Sequence, residues 1–479
     1  MNKLYLFGIG GTGSRVIKAL TMLLACGIDT NKFEIVPIIV DPDASNGDVT
    51  RTVQLLKDYD YIRKEINANG NVEGFFKTHI EELSTGSNYK FGLGDTNNKK
   101  FGQYINLNGL DSANEALVRL LFSEENLDAD MQVGFKGNPN IGSVVLNRFI
   151  DSEEFHNLAN GFKPGDRIFI ISSIFGGTGA AGFPLLLKNI RNVESTFPNY
   201  KLLQDAPIGA VSVLPYFNVT VDDDSSIDGA TFVSKAKAAL SYYDVNVSGN
   251  NSLNSFYYIA DSHTSNQLNN EGGVGQKNQA HFVELASALA IVDFCKESTH
   301  KLDCMNGQAV SPIYKEFGVQ QDKVIFGLEN LAPATSQLLN VPLSKFTLFA
   351  LYVNNKLKEA KEQNWAKDLN LNSLMGSSFY NHLSQFINEY KGWLNEMGSN
   401  QRTFLPYNMN VGENNLFEFI NGYKAESSMF DKGGKSYGRF DFMLSKVDKD
   451  IDSKSQGHQR FVDLFYAATE ELIKTKYNF

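Results

Sequence analysis

The chain has 479 residues, of which 42% are hydrophobic and 12% aromatic, so it can bury a large core and is long enough for about two or three domains. Its formal net charge of −10 argues against a nucleic-acid partner, because proteins that bind the phosphate backbone usually carry a basic face. No apolar run reaches the roughly 18–20 residues of a membrane span. The 3 cysteines (Cys26, Cys295 and Cys304) predict no disulfide framework, so we expect a cytoplasmic protein.

From the amino terminus onward, short and almost continuously apolar runs alternate with helical patterns. Such runs are typical of parallel strands that are covered on both faces. They occur at residues 3–10, 33–41, 166–173, 206–215 and 255–261. Residues 14–24 and 183–193 have helical spacing. The alternation predicts an α/β fold with a Rossmann-like parallel sheet.

The first predicted strand leads directly into a glycine-rich loop, GIGGTG, which opens a helix. Gly8, Gly10 and Gly13 fit the pattern G-x-G-x-x-G, and Asp41 and Asp43 follow the next strand. Glycine lets the backbone approach a phosphate, and the helix N-terminus supplies N–H donors and the positive end of its dipole. Taken alone, this loop also fits an NAD-type oxidoreductase, which stays a minor alternative.

A second strand, glycine turn and helix follow in IISSIFGGTGAAGFP. The core of this turn is Gly176, Gly177, Thr178 and Gly179. A dinucleotide-binding fold needs no second phosphate loop at this place. The simpler alternative is a glycine turn that only lets a helix pack closely on a strand. We predict that the two loops follow neighbouring strands of one sheet and bind one nucleotide between them.

The second loop resembles the G-G-G-T-G-[ST]-G loop of the tubulin/FtsZ superfamily, with Phe175, Ala180 and Ala181 as departures. Other segments resemble motifs of that family, and they follow the family's order across residues 4–294. These segments are LFGIGGTGS, VDPDAS, GNPNIG, PYFN and VGQKNQAHFVELASALA. The sequence is therefore similar to a divergent, prokaryotic member of this superfamily, and a nucleotide-binding domain of tubulin/FtsZ type is implied.

The resemblance implies a pocket for GTP or GDP with Mg²⁺. Asp43 stands at the family's acidic position near the metal ion and the phosphates, and Asn278 stands at the place of its guanine-contacting asparagine. Arg15 and Gln279 replace an asparagine and an aspartate that contact the base in FtsZ, so the selectivity for guanine is open. The implied nucleotide-binding residues are Gly10, Gly11, Thr12, Gly13, Ser14, Arg15, Asp43, Gly137, Asn138, Gly142, Gly176, Gly177, Thr178, Gly179, Ala180, Asn218 and Asn278.

Residues 327–349, GLENLAPATSQLLNVPLSKFTLF, resemble the catalytic loop of tubulin with its helix and the next strand. In the family this loop carries an acid that polarises the attacking water on the neighbouring subunit's nucleotide. Here the acidic positions fall on Ala332 and Thr335, which can neither orient nor deprotonate water. Glu329 and Asn330 are the remaining catalytic candidates, although an exposed loop glutamate is the simpler explanation of Glu329.

The chain is divided accordingly into three parts. Residues 1–274 are the predicted nucleotide-binding domain, with an insertion at about 50–130. Residues 275–298 are the predicted central helix, because 279–294 are apolar nearly all round, as in a helix buried against several partners. Residues 299–479 are the predicted C-terminal domain, of α/β or α+β type.

Within the C-terminal domain, residues 327–342 are the segment that resembles the catalytic loop. We expect a helix near 330–340, a strand at 346–353 and a last helix at 458–474, where the apolar residues share one face.

The resemblance implies subunits that stack head to tail, so that loop 327–335 of one subunit covers the nucleotide of the next. A heterologous contact that does not close gives filaments, with slow GTP hydrolysis at the interface. The alternative is a nucleotide-binding scaffold or sensor of the same fold that does not hydrolyse GTP and acts with unknown protein partners. The absent acid and the insertions at 50–130 and 295–326 favour this alternative.

Other features have simpler explanations than a functional site. Cys295, His300 and Cys304 could gather metal ligands, but no fourth ligand is evident, and helix-end residues are the simpler explanation. The acidic run at 222–226 is explained as a solvated turn. His281 is expected to be a buried histidine rather than a catalyst.

Overall fold

The computed structural model describes residues 1–43, 45–67, 73–93, 96, 99–131, 135, 138–220, 229–261, 265–268, 273–319, 323–426, 436–451 and 455–479. For residues 218–220, 229–232 and 265–268 only the backbone is described. The acidic run at 222–226 lies outside these residues.

The strands are short and lie mainly in the first two thirds of the chain. In chain order they are β1 (Lys3–Ile9), β2 (Glu34–Val40), β3 (Arg167–Ser173), β4 (Ile208–Val213), β5 (Phe217–Thr220), β6 (Ser255–Ile259), β7 (Ser265–Leu268), β8 (Cys304–Met305), β9 (Gln308–Ala309), β10 (Ile313–Lys315), β11 (Ile325–Phe326) and β12 (Thr403–Phe404). A six-stranded sheet has the order β10-β6-β4-β3-β1-β2, and its pairs are parallel. The predicted α/β fold with a Rossmann-like parallel sheet is confirmed.

The helices cover both faces of this sheet and make up most of the C-terminal region. They are α1 (Gly10–Ala25), α2 (Gly47–Ile66), α3 (Phe101–Tyr104), α4 (Ser112–Leu121), α5 (Glu124–Leu127), α6 (Pro139–Leu146), α7 (Glu153–Gly161), α8 (Gly177–Arg191), α9 (Tyr200–Gln204), α10 (Gly229–Tyr243), α11 (Phe282–Lys296), α12 (Pro333–Asn355), α13 (Leu371–Met375), α14 (Ser378–Gly398), α15 (Tyr437–Val447) and α16 (Gly457–Lys476). No helix in the described part of the chain is long and apolar enough to cross a bilayer.

The sheet is buried on both faces. Successive side chains of a strand point to opposite sides, and helices cover each side. In β1, Leu4 and Leu6 belong to the core that contains α1 and α11. Tyr5, Phe7 and Ile9 belong to the core that contains α6, α7 and α8. This double burial explains why the strands are continuously apolar in the sequence rather than alternating.

The connections of the sheet diverge between β1 and β3. From β1 the chain passes through α1 to β2 on one side, and from β3 it passes through α8 to β4 on the other. β1 and β3 are themselves neighbours, with Gly8 opposite Ile171. A parallel sheet that diverges in this way leaves a crevice at the carboxyl ends of the two strands, which is where such folds bind ligands.

The predicted strand at 346–353 is wrong, because this segment belongs to the long helix α12. Every residue from Leu343 to Val353 is buried, and α12 packs against α11, α14 and α16. A segment that is apolar on all sides has no periodicity by which a helix could be told from a buried strand. The C-terminal region is consequently richer in helix than we expected.

The central helix is shorter than predicted, since α11 begins at Phe282 rather than at residue 275 or 279. It packs against α1 on the sheet side and α12 on the C-terminal side. α2, which falls within the predicted insertion, packs against α1, α14 and α16. The three domain boundaries stay predictions.

Candidate functional site

The two glycine loops lie at the carboxyl ends of neighbouring strands, where α1 and α8 begin. The N-cap residues of these helices are Ile9 and Gly176, and neither makes a side-chain cap hydrogen bond. Neither helix has an acidic residue in its first turn, all of which is described. The first N–H groups of both helices are therefore available to an anion, which the positive ends of both dipoles also favour.

The two loops are close enough to contact one ligand. Gly10 has φ +72°, in the left-handed region, and a Cβ there would lie 3.6 Å from Cβ of Thr178 and 3.8 Å from N of Gly179. Gly11 and Thr178 are partly exposed, whereas Gly10, Thr12, Gly177 and Gly179 are buried. The crevice is thus lined by backbone, which is what a phosphate-binding turn requires.

Some of the predicted glycines serve the packing of the loops. A Cβ on Gly13 would lie 2.4 Å from C of Gly8, so this glycine lets α1 lie directly on β1. A Cβ on Gly179 would lie 2.8 Å from O of Ser173, so this glycine keeps α8 close to the end of β3. Ser14 also points away from the loop, since its hydroxyl donates to O of Asp48 at 3.3 Å.

Helix α6 forms a further wall beside the second loop. A Cβ on Gly142 would lie 3.0 Å from both O of Gly177 and Cβ of Ala181. Asn138 caps α6 by accepting from N of Asn140 at 3.1 Å. The predicted residue Gly137 lies outside the described residues. Ala180, on the other side of the loop, is partly exposed. Of Asn218, only the backbone in β5 is described.

Arg15 is the centre of a buried ionic network directly beneath the first loop. Its Nε donates to Oε1 of Glu284 at 2.5 Å, its Nη1 to Oδ2 of Asp48 at 3.0 Å and its Nη2 to the hydroxyl of Tyr216 at 3.0 Å. Burial alone would lower the pKa of Arg15, but Tyr216, Glu284 and Asp48 raise it well above its usual value. Arg15 is therefore a cation held in place by two carboxylates, and each of its three side-chain nitrogens already donates a hydrogen bond.

Asn278 lies before α11 rather than on it, and it is held by the same network. Its Nδ2 donates to Oδ2 of Asp48 at 2.8 Å and its backbone N to Oδ1 of Asp48 at 3.1 Å. The backbone O of Asn278 accepts from Nη2 of Arg51 at 2.7 Å. The predicted base-contacting side chain is therefore placed by Asp48 and Arg51, which sequence reasoning missed because each is far away in the chain.

Asp43 is buried, and its carboxylate is already engaged. Oδ1 accepts from N and Oγ of Ser45 at 3.0 and 2.7 Å, and Oδ2 accepts from N of Gly273 at 2.5 Å. Asp41, two residues earlier, is partly exposed at the same end of β2. Burial, with the nearby charges of Asp43 and Asp48, raises the pKa of Asp41 to about 7. Its carboxylate is engaged as well, since Oδ1 accepts from N of Asp43 at 2.9 Å and Oδ2 accepts from Nδ2 of Asn46 at 3.3 Å. As a Mg²⁺ ligand, either carboxylate would have to give up one of its hydrogen bonds.

Two polar side chains that the sequence did not single out lie over the first loop. A Cβ on Gly11 would lie 3.7 Å from both Nδ2 of Asn46 and Nε2 of Gln276. Asn46 caps α2 with its Oδ1 and donates from Nδ2 to Oε1 of Gln276 at 3.0 Å. The Asn-Gly pair before α2 is a recognisable N-cap signal, but nothing local brings Gln276 to this place.

His281 is the buried N-cap of α11, as expected of a core histidine. Its Nδ1 accepts from N of Val283 at 3.1 Å, so in the neutral ring Nε2 carries the proton. Nε2 lies 3.8 Å from Oδ2 of Asp261. Burial, together with the charges of Arg15 and Arg402, lowers the pKa of His281 to about 4. The ring therefore stays neutral near pH 7.

The loop predicted to be catalytic makes contacts within its own chain. Asn330 is buried, and its Oδ1 accepts from N of Gly327 at 3.1 Å. Thr335 is buried as well, and its Oγ1 accepts from N of Gly318 at 3.4 Å. Glu329 is exposed, with its carboxylate against the backbone at Gly422, where a Cβ would lie 2.5 Å from Oε2. Of these three side chains, only Glu329 is open to solvent.

The cysteine segment does not gather metal ligands in the described residues. Cys295 is buried and Cys304 is partly buried. In the described ranges, neither belongs to a cluster of His, Cys, Asp or Glu side chains whose ligand atoms are close enough to hold one metal ion. One such group consists of Glu34, His79 and Glu81, whose ligand atoms lie within 4.8 Å of one another at the opposite end of β2. An ammonium group, that of Lys3, already pairs with Glu81 there.

The fold and the crevice together define a class of protein: an α/β protein with a Rossmann-like parallel sheet and two glycine loops at its switch point. No family model and no curated protein matches the sequence. Among solved structures, the chain is similar to CetZ2 from Haloferax volcanii in a GTPγS-bound protofilament, with 12% identity and a TM-score of 0.29. The match covers 62% of this chain and 61% of that chain, less than two thirds of its length. A likeness at this level carries no argument about function.

Proposed function

We propose that the protein binds one guanine nucleotide, GTP or GDP, with Mg²⁺ in the crevice between the two glycine loops, and that it self-associates head to tail into nucleotide-dependent filaments. The observation that supports the nucleotide is the pair of uncapped helix N-termini on neighbouring strands, which lie so close that a Cβ on Gly10 would be 3.6 Å from Cβ of Thr178. A triphosphate has enough anionic oxygens to satisfy both sets of N–H donors at once.

The cation in this proposal is held by the phosphates and by one carboxylate at the end of β2. Mg²⁺ keeps several waters and takes one or two carboxylates together with phosphate oxygens. Asp41 and Asp43 are the acids beside the first loop, and Asp41 is the better fit because it is partly exposed. Mg²⁺ would neutralise phosphate charge, and the residues of the loops would bind and orient the nucleotide.

Self-association rests on the resemblance of loop 327–335 to a loop that covers the next subunit's nucleotide. If hydrolysis occurs, Glu329 is the acid of this loop that is open to solvent. Asn330 would act there only as a structural residue, because its side chain holds the turn at Gly327. Slow hydrolysis or none is the expected outcome.

The second candidate function is a nucleotide-binding scaffold or sensor that neither hydrolyses GTP nor forms filaments alone. It is favoured by Ala332 and by the buried Thr335, which stand where the family has its acids. Unknown protein partners would then supply the response. An NAD-type oxidoreductase is the minor alternative.

One experiment separates these functions. Purified protein is incubated with GTP and Mg²⁺ over a range of protein concentrations and followed by light scattering, electron microscopy and phosphate release. Filaments with cooperative phosphate release support the first function, and GTP binding without either supports the second. Reduction of a nicotinamide in the absence of GTP binding would contradict both.

A further inference from the structure

The segment that leads into the central helix, residues 278–281, is held from two sides. We call it the approach segment. On one side is α2, through Asp48 and Arg51, and on the other are α14, through Glu396, and the residues directly after it, through Asn400. The proposed base contact, Asn278, is the first residue of this segment. The hydrogen bonds from α2 and α14 therefore decide how Asn278 is presented to a base.

The contacts from α2 fix the side chain of Asn278. Asp48 has no exposed side-chain surface, and its carboxylate accepts from Nδ2 of Asn278 at 2.8 Å. A carboxylate accepts hydrogen bonds but donates none, so the amide nitrogen must face Asp48. The carbonyl Oδ1 is then the group that Asn278 offers to a ligand.

The contacts from α14 fix the backbone of the same segment. Glu396 accepts from N of Ala280 at 2.8 Å through Oε2 and from Nη1 of Arg51 at 3.0 Å through Oε1. Asn400 donates from Nδ2 to O of Ala280 at 2.6 Å. Arg51 completes the connection, since its Nη2 reaches both Asp48 and O of Asn278 at 2.7 Å. The side chain and backbone are thus held by one continuous chain of ion pairs and hydrogen bonds.

The chemistry of the bases makes this orientation selective. Guanine offers N1–H and N2–H₂ as donors, whereas the N1 of adenine is an acceptor. When Oδ1 of Asn278 faces the N1 and C2 positions of the base, it accepts from N1–H or N2–H₂ of guanine. At the same positions adenine has the acceptor N1 and a C2–H, so the hydrogen bond is not formed. Arg15 is held away from this role, because each of its side-chain nitrogens already donates to Glu284, Asp48 or Tyr216.

We propose that Asp48 and Glu396 are positioning residues for the base. Asp48 orients the amide of Asn278 so that its carbonyl oxygen selects guanine over adenine. Glu396 of α14 holds the backbone of the approach segment in the position from which Asn278 contacts the base. This inference rests on the proposed binding of a nucleotide. It adds that selectivity is set in part by the C-terminal region.

The test measures the affinities of GTP and ATP by calorimetry, each with Mg²⁺, for the full-length chain and its variants. A defect in folding lowers the affinities for both nucleotides together, whereas loss of positioning lowers the ratio of GTP affinity to ATP affinity. We expect this ratio to fall about tenfold in Asn278→Ala, the value of one hydrogen bond. In Glu396→Gln we expect a fall of about threefold, because one charge-assisted contact is weakened and not removed.

Asn395→Ala is the matched control, since Asn395 is exposed on the same turn of α14. The ratio of GTP affinity to ATP affinity should be unchanged in this variant. Asp48→Asn should lower the ratio as far as Asn278→Ala, but it also removes a charge that pairs with both the buried Arg15 and the partly buried Arg51. For this reason Glu396→Gln, at a partly exposed residue, carries the test if Asp48→Asn does not fold.

The outcomes separate this inference from the proposed function. If the unaltered chain binds neither GTP nor ATP, the proposed function fails. If it binds GTP more tightly than ATP and both Asn278→Ala and Glu396→Gln keep that ratio, the positioning role of Asp48 and Glu396 is wrong while the nucleotide site stands. An equal affinity of the unaltered chain for GTP and ATP would also overturn the inference.

Discussion

The two sides of the crevice are built in opposite ways. On the side where we propose that the phosphates bind, which we call the phosphate side, the helices that begin at Gly10 and Gly177 have no side-chain cap. On the base side, Arg15, Asp48 and Glu284 form a buried network in which each charge has a partner. One side is formed by backbone at two helix N-termini, and the other is formed by paired side chains.

This difference teaches which kind of change each side tolerates. A cradle made of backbone is harmed by added atoms, because a Cβ on Gly10 would lie between the two loops. An ionic network is harmed by removed atoms, because a buried charge that loses its partner keeps the full cost of desolvation.

The largest effect is expected from removing a charge on the base side. Glu284→Gln should lower the free energy of unfolding by about 3–5 kcal/mol, because Arg15 is left buried with one carboxylate in place of two. Urea unfolding followed by circular dichroism measures it. Asp128→Asn is the control, since Asp128 and Lys100 are both exposed and lie 3.1 Å apart, and it should cost less than about 1 kcal/mol. Equal losses in the two variants would mean that the network does not stabilise the fold.

On the phosphate side, Gly10→Ala should weaken GTP binding by about 100-fold or more, because the methyl group enters the space between the loops and the first-turn N–H groups lose their ligand. Gly86→Ala is its matched control. Gly86 has φ +85° with open space around it, so both variants bear the same left-handed backbone cost of about 1–2 kcal/mol. Calorimetry with GTP and Mg²⁺ distinguishes them, and equal binding by the two variants would place the phosphates elsewhere.

His281 makes the base side sensitive to acid. Its pKa of about 4 in the folded chain lies below the unfolded value of 6.5, so the unfolded chain binds more protons between these values. Stability should therefore fall as the pH drops from 6.5 towards 4, by about 2–3 kcal/mol from this residue. His281→Asn keeps an N-cap acceptor and removes the titration. The loss between pH 7 and pH 4.5 should be smaller in this variant, and an identical loss would show that His281 does not titrate in this way.

The smallest effect is expected at the loop that stands apart from both sides. Glu329 is exposed, and exposed substitutions usually change free energies by no more than about 0.5 kcal/mol. We expect Glu329→Gln to change the free energy of unfolding by no more than this, as measured by urea unfolding, and to leave GTP affinity unchanged. A fall of more than tenfold in phosphate release at unchanged GTP affinity would instead make Glu329 the acid that acts on the next subunit's nucleotide.

The same contrast explains how much could be predicted from the sequence. The strands and both glycine loops are local patterns, so the α/β fold and the crevice could be read from short windows. Arg15 and Glu284 are 269 positions apart in the chain, and no local pattern pairs them. The strand expected at 346–353 failed for a related reason, since burial of α12 on every side removed the periodicity that identifies a helix.

The central claim is that two glycine loops bind one nucleotide, and its stoichiometry tests this most directly. Calorimetric titration of the purified chain with GTP and Mg²⁺ should give one nucleotide per chain. Binding should be lost in Gly10→Ala and also in Gly176→Val, whose side chain would meet Oγ of Ser173 at 3.0 Å beside the second loop. Two nucleotides per chain, or one that survives either substitution, would contradict a single site formed by both loops.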